Sequence, residues 1–175
     1  MAHQPLQTKP EKPKNTKRDP VAAGERDAAQ NRLASHNYHL TDKLETGIAL
    51  RGTEVKSVRE GQIQLRDAYA IIKDNELFLL NAHIGQYSHT GYAGHEPTRS
   101  RKLLVHASEL EKLLSKTKQK GFTLVPTRMY FKNGRVKVEI ALAKGKQNWD
   151  KRETERRREA DKEARVAIKN KRARA

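Results

Sequence analysis

Between residues 31 and 143 the large apolar side chains fall in short runs, separated by turn residues, a spacing that predicts strands. Tyr38-His39-Leu40-Thr41 and Thr46-Gly47-Ile48-Ala49-Leu50-Arg51 read as two strands in succession. Residues 68–73 and 76–80 are apolar on either side of Asp74-Asn75, and two such runs about a tight polar turn predict a hairpin. A second hairpin is predicted where residues 127–131 and 135–142 flank Lys132-Asn133-Gly134, since Asn and Gly both tolerate positive φ. In Val136-Lys137-Val138-Glu139-Ile140 the apolar positions alternate, so one face is buried and Lys137 and Glu139 point outward.

Two segments have helical spacing. Ser108 with Glu111 forms a capping-box pattern, Leu110, Leu113 and Leu114 supply one stripe, and Gly121 ends it. Residues 53–60, bracketed by Gly52 and Gly61 with Val55 and Val58 three apart, predict a short helix, with a strand as the alternative. Many short strands and few helices predict a mainly β chain, a small OB-fold-like barrel with short flanking helices and a basic C-terminal tail. A split sandwich is the plainer alternative.

Composition divides the chain. Residues 1–30 hold four of the six prolines and almost no large apolar residue, so they cannot offset their ordering entropy and are expected to be a disordered tail. Residues 31–143 form the expected barrel and residues 144–175 a basic tail with net charge +7. The whole chain of 175 residues carries +16, which points to a polyanionic partner. Cysteine is absent, which excludes disulfides, thiolate metal sites and Cys nucleophiles. There is no apolar run of about 18 residues to span a membrane, and the N-terminus lacks the apolar segment of a secretory signal. A cytoplasmic protein is expected.

Catalytic and metal patterns are missing. His83, His89 and His95, and His36 with His39, match no ligand spacing and read as surface histidines. There is no phosphate-binding glycine loop and no nucleophile elbow. Neither a cofactor nor a metal is expected. Only Glu45, Glu54 and Asp67 remain as carboxylates that convergence in space would turn into a Mg²⁺ site.

The basic elements say more. Arg99, Arg101 and Lys102 crowd into four positions, and in an extended chain Arg99 and Arg101 share a side. Arginine forks suit phosphate oxygens, although a solvated loop is the alternative. From Asp150 to Lys171 charges alternate with Ala, so propensity favours helix while no apolar stripe is wide enough to dock. Such a tail is expected to be disordered when free and helical on a polyanion. Trp149, the only Trp, either stacks on a base or packs on the barrel.

In order along the chain stand Asn31-Arg32-Leu33-Ala34-Ser35-His36-Asn37-Tyr38, Glu45-Thr46-Gly47-Ile48-Ala49-Leu50, Gly52-Thr53-Glu54-Val55-Lys56-Ser57-Val58-Arg59, Pro97-Thr98-Arg99-Ser100-Arg101-Lys102-Leu103-Leu104, Ala143-Lys144-Gly145-Lys146 and Asp150-Lys151-Arg152. This combination closely resembles the small protein B family, the SsrA-binding proteins of bacterial trans-translation. The resemblance covers residues 31 to about 172. It implies an OB-fold barrel that binds the tRNA-like domain of transfer-messenger RNA (tmRNA). It also implies a tail that enters the empty messenger channel of a stalled ribosome and becomes helical there. The implied RNA site comprises Asn31, Arg32, His36, Glu45, Leu104, Lys137, Lys144 and Lys146, with Lys56, Arg99, Arg101 and Lys102 as further basic contacts. The implied ribosome-contacting tail comprises Trp149, Asp150, Lys151, Arg152, Arg156, Arg157, Lys162 and Arg165. Trp149 stands where the family commonly has a cation or His, which implies stacking.

Residue chemistry assigns different roles within this set. Lys and Arg orient RNA through phosphates. A carboxylate repels phosphate, so Glu45 is expected to accept from a base or ribose donor, or else to pair with a barrel lysine. Leu104 by residue type belongs to the core, or presses against a base. For Asn31 the alternative is a cap on the first strand. The expected function is a non-enzymatic, monomeric RNA-binding factor for ribosome rescue. Its partners are tmRNA and the small-subunit ribosomal RNA of the decoding centre and messenger channel. The alternatives are a ribosomal or ribosome-assembly protein, and a Mg²⁺-dependent nuclease.

Overall fold

A computed structural model describes residues 25–87, 94–119 and 121–173. In chain order the elements are β1 (Glu25–Gln30), α1 (Arg32–Asn37), β2 (Tyr38–Ile48), α2 (Gly52–Arg59), β3 (Ile63–Gln64), β4 (Tyr69–Lys73), β5 (Glu76–Leu80), β6 (His83–Ile84), β7 (Arg101–Leu104), α3 (Ala107–Thr117), β8 (Phe122–Lys132), β9 (Arg135–Gly145) and α4 (Asn148–Ala173). The main sheet is antiparallel and runs β1-β8-β4-β5-β7-β2-β9, and β8 also pairs with β9. That last pairing closes the strands from β8 round to β9 into a barrel, which removes their free edges. β3 and β6 make a separate two-stranded ribbon.

Both predicted hairpins are present. Asp74 and Asn75 have φ of 50° and 60°, and Asn133 and Gly134 have 49° and 73°. Positive φ at both central residues matches the right-handed twist of the flanking strands. The two strands expected at residues 38–41 and 46–51 form one, β2. Its register shifts between Thr41 and Leu44, where Asp42 takes φ 45°. That irregularity interrupts the alternation and so disguises a single strand as two. β8 starts at Phe122, earlier than its apolar run indicates, because Pro126 lies at a register shift where a missing N–H is tolerated.

The core lies inside the barrel. Alternation aims Leu77 and Leu79 of β5, Leu103 of β7, Leu124 and Met129 of β8, and Val138, Ile140 and Leu142 of β9 inward, and all are buried. Leu110 and Leu113 of α3 and Val58 of α2 join the same cluster. The helix at α3 fits its predicted stripe, but the cap is His106, whose N–H donates to Glu109 (3.1 Å), rather than Ser108 with Glu111. α2 is the helix expected between the two glycines.

Three boundaries or placements differ from the composition-based reading. Residues 25–30 form β1, paired with β8 from Lys132 to Arg128, because ladder hydrogen bonds and the small Ala28 and Ala29 against the core compensate for a polar sequence. Residues 1–24, the rest of the expected N-terminal tail, lie outside the described residues. Lys144 and Gly145, placed at the start of the C-terminal tail, complete β9 opposite His39 and Tyr38. His95, read as a surface residue, is buried, with Nδ1 3.0 Å from the Thr53 hydroxyl and Nε2 3.2 Å from the Ile84 carbonyl. His89 lies outside the described residues.

Candidate nucleic-acid interface

On the outer surface of β2, Glu45 gathers a compact polar cluster. The Tyr130 hydroxyl donates to Glu45 Oε2 at 2.5 Å, Lys132 Nζ donates to the same oxygen at 2.8 Å, and Lys137 Nζ lies 3.5 Å from Oε1. The lysine and phenol hydrogen bonds hold the Glu45 carboxyl at about 2. Burial and the facing carboxylate push the Tyr130 phenol up, so it remains a donor. A carboxylate offers about four acceptor positions, and among the described residues Oε1 meets only Lys137, at 3.5 Å. Oε1 therefore has capacity for a base or ribose donor.

Register explains the neighbours of this cluster. Glu45 faces Glu139, and two carboxylates directly opposite destabilise a sheet unless each is neutralised. Glu139 has its own partners: Lys43 Nζ at 3.1 Å, Arg128 Nε at 3.3 Å and the Thr127 hydroxyl at 2.5 Å. Burial raises the Glu139 carboxyl, but these contacts outweigh it and hold it below its ordinary value. The Arg128 guanidinium lies 4.3 Å from the centre of the Tyr130 ring. Beside it an open groove of about 510 Å³ is lined by Gln30, Arg32, Lys43, Thr127, Arg128 and Glu139, among others.

Along the next row, Gly47 faces both Leu104 and Lys137. A Cβ at Gly47 would come within 3.1 Å of Leu104 Cβ, so glycine is what lets Leu104 lean over β2. Leu104 is 53% exposed. The core expectation for it is corrected, because Leu103 takes the inward position on β7. Lys102 is exposed and pairs with Glu76.

The basic run does not act as a unit. Arg101 is fully buried, donating from Nε to Glu54 Oε1 (2.8 Å) and from the guanidinium ends to the carbonyls of Ala82 (2.6 Å), Arg99 (3.0 Å) and Pro97 (2.9 Å). Its expected RNA contact is corrected: every direction is taken by the protein. Arg99 shares the side expected of it and meets the same carboxylate, Nε to Glu54 Oε1 at 2.9 Å, leaving it 22% exposed. Burial pushes Glu54 up, but hydrogen bonds from Arg99, the Arg51 N–H and Arg101 hold it below its ordinary value. Glu54 is thus sealed by two arginines and Glu45 is held by two lysines, so neither is offered to a hard cation. Among the described residues no cluster of acids and histidines could hold a metal ion.

Asn31 is another structural residue. Its amide donates to the carbonyls of Leu65 (2.8 Å) and Pro126 (3.1 Å), and its side-chain oxygen accepts from the Ala34 N–H (3.1 Å). It caps α1, a helix the sequence reading missed, and is buried, so its expected RNA contact is corrected as well. Arg32 next to it is exposed. At the other end of α1, His36 Nε2 lies 2.9 Å from Glu155, and Lys146 Nζ donates to the Ser35 carbonyl (2.9 Å) and the Thr154 hydroxyl (3.0 Å). His39 Nε2 lies 3.3 Å from Asp150. The first turns of α4 are therefore seated on α1 and β2. Lys144 is exposed, its ammonium 5.9 Å from the Phe122 ring. Lys56 lies apart on α2, 5.1 Å from the Tyr87 ring.

On α4, Trp149 is 63% exposed and its indole N–H donates to Gln147 (2.9 Å), which corrects the alternative of packing on the barrel. Asp150 accepts from the Gln147 N–H at 3.1 Å, Lys151 is half-buried, and Arg152, Arg156, Arg157, Lys162 and Arg165 are exposed. Lys43, Arg128, Tyr130, Lys132 and Glu139 were missed from sequence. Lys43 lies on β2 and the others on β8 and β9, and their nearness to Glu45 and Glu139 depends on the pairing of β9 with both β2 and β8.

The electrostatics of Glu45 have a measurable consequence. A carboxyl with a folded pKa of about 2 and an ordinary value of 4.5 adds stability that is complete above pH 4.5 and lost as pH falls towards 2. Wild type is expected to lose more stability across that window than Glu45→Gln, measured by urea unfolding at stepped pH. Equal losses would place the Glu45 cluster outside the acid response.

A family model described as SmpB protein matches residues 28–170. An SsrA-binding protein of Koribacter versatilis is 67% identical over 156 residues, covering 89% of each chain. One of Trichodesmium erythraeum is 54% identical over 147 residues, covering 83% of this chain and 94% of that protein. A solved structure described as tmRNA–SmpB on a journey to the centre of the bacterial ribosome includes a chain of 46% identity. It superposes with a TM-score of 0.60 and covers 69% of this chain and 85% of its own.

Proposed function

The chain belongs to the SmpB family, and from that premise we propose that it is an RNA-binding factor of trans-translation that grips the tRNA-like domain of tmRNA and delivers it to stalled ribosomes. The observation that carries this reading is a family match running from residue 28 to residue 170, through barrel and tail alike, with 67% identity to one SsrA-binding protein over 156 residues. The geometry supports it. The outer face around Glu45 carries Arg32, Lys43, Arg128, Lys132 and Lys137, cations of the sort that position folded RNA through its phosphates. Within it one carboxylate, Glu45, keeps an acceptor position open and favours a base or ribose donor.

Contacts to RNA are assigned to Arg32, Glu45, Lys102, Leu104 and Lys137, joined by Lys132 and Arg128 beside them. His36, Lys144 and Lys146 form a second basic edge, where α4 is seated in the free chain. Arg99 and Lys56 contribute long-range charge. Trp149, Asp150, Lys151 and Arg152 at the base of α4, then Arg156, Arg157, Lys162 and Arg165 along it, are assigned to the small subunit at its decoding centre and empty messenger channel. Past its seated turns α4, expected from sequence to be disordered when free, is helical in the free chain but held there by local support alone, and it is stabilised once laid in that channel. The protein acts in the cytoplasm as a monomer and carries out no chemical step itself.

Replacing Glu45 or Lys137 with Ala is expected to weaken binding to the tRNA-like domain by roughly tenfold, in line with hydrogen bonds to charged groups, with far-UV circular dichroism unchanged. Affinity equal to wild type would remove both from the interface.

A further inference from the structure

We propose that the outer face of β4, β5 and β7 is a stacking platform for unpaired bases, with the rings of Tyr69 and Phe78 as its stacking surfaces; this rests on the RNA-binding reading above and extends its interface. Alternation sends Ala70, Leu77, Leu79 and Leu103 into the core. It sends Tyr69, Ile71, Phe78, Leu80, Lys102 and Leu104 to the other side. Register makes these one patch: Tyr69 faces Leu80, Ile71 faces Phe78, and Phe78 faces Lys102. The outer face of an antiparallel barrel sheet is ordinarily polar. Here Tyr69 is 38% exposed, Ile71 37% and Leu104 53%.

The charge around the patch selects the occupant. Lys73 and Lys102 both adjoin Glu76, one across the β4–β5 hairpin and the other as its ion pair. Lys137 follows Leu104 across Gly47. An apolar, aromatic strip with a net cationic rim suits nucleotides, whose bases have π-faces and whose phosphates are anionic. Stacking on such rings tolerates any base. The strip is also continuous with the Leu104–Lys137–Glu45 surface. From β2 to β4 there are three strand spacings, about 14 Å, so a few nucleotides leaving Lys137 would cross Phe78 and Tyr69. Bases of an RNA loop, which are already unstacked, would be bound in preference to a duplex.

The test is binding of the full-length chain to an in-vitro transcript of the tRNA-like domain, comparing wild type, Tyr69→Ala, Tyr69→Phe and Lys137→Ala across a salt series. Tyr69→Ala is expected to bind about tenfold more weakly, with an unchanged salt slope because no phosphate contact is lost. Tyr69→Phe, which keeps the π-face, is expected to stay within about twofold of wild type. As a second readout, Tyr69→Trp in a Trp149→Phe background is expected to show fluorescence quenching on RNA addition. If Tyr69→Ala binds like wild type and the Trp probe is unquenched while Lys137→Ala weakens binding, the platform is overturned and the RNA reading stands. If wild type itself shows no preference for this RNA over tRNA, the RNA reading fails first. If Tyr69→Ala keeps full RNA affinity but dissociates a dimer in sedimentation, the face is a contact between copies and the platform is again overturned.

Discussion

A chain ending at residue 149 is expected to bind the tRNA-like domain within about threefold of the full chain and to tag nothing on stalled ribosomes. The difference follows from what holds α4. Its first turns reach the barrel through His39–Asp150, Lys146–Thr154 and His36–Glu155. Beyond them residues 159–166 are exposed, and the support is local, such as the Glu153–Arg157 pair (2.7 Å) spaced i, i+4. Pairs of this kind add only about 0.2–0.5 kcal/mol each, so this part of the helix is marginal in water until a polyanion covers it. Residues 144–175 carry a net +7, which suits a channel walled by ribosomal RNA. Truncation also removes Glu155 and Thr154 from His36 and Lys146, freeing two groups assigned to RNA. Two linked weak contacts bind far better than either alone, provided both sites are reachable at once. Loss of one should therefore spare the binary complex and collapse delivery. Normal tagging by the truncated chain, measured with a stalled messenger in a reconstituted system, would reduce the tail to a solubility device.

The second large effect is on the fold. Glu54→Gln, or Arg101→Met, is expected to cost about 3–5 kcal/mol: the first leaves the buried Arg101 guanidinium without its counter-charge, and the second leaves three carbonyls without their donor while Glu54 keeps only Arg99 and the Arg51 N–H. Glu54 and Arg101 side chains are both 0% exposed, and Arg101 also ties three carbonyls together below the strand it begins. Arg101→Lys should rescue little, since a single ammonium cannot span that set of acceptors. Urea unfolding checks this. A cost under about 1 kcal/mol, the range of an exposed pair, would mean that water reaches the site and the network is not a keystone.

Much of the barrel was legible in the sequence, and the reasons are local. The Asn133-Gly134 and Asp74-Asn75 turns state their own conformation, and the Val136 to Ile140 alternation states which face is buried. What hid the rest was chemistry that local pattern cannot express. Residues 25–30 read as tail since β1 is held by ladder bonds to β8 rather than by its own apolar side chains. β2 read as two strands because Asp42 breaks its rhythm. The candidate site was harder still. Arg99, Arg101 and Lys102 look alike in sequence, yet one is sealed on Glu54, one half-shielded by it, and one exposed beside Glu76. Which cation faces RNA depends on where Glu54 of α2 ends up, a contact some 45 residues away in the chain. Asn31 belongs to a family motif that implies RNA contact, whereas its amide joins the Leu65 and Pro126 carbonyls to α1.

What sets this chain apart is selective recognition of one RNA despite a +16 charge that would bind any RNA. It is tested most directly by the affinity of the purified full-length protein for the tRNA-like domain of tmRNA, against tRNA and a ribosomal RNA fragment of equal length. Near-physiological salt is required, because counterion release inflates every affinity at low salt. The expected result is a preference for the tRNA-like domain of about tenfold or more, within the range that one charged hydrogen bond supplies, that persists as salt is raised. Equal affinity for all three would contradict it and leave a general ribosomal RNA-binding protein as the better description.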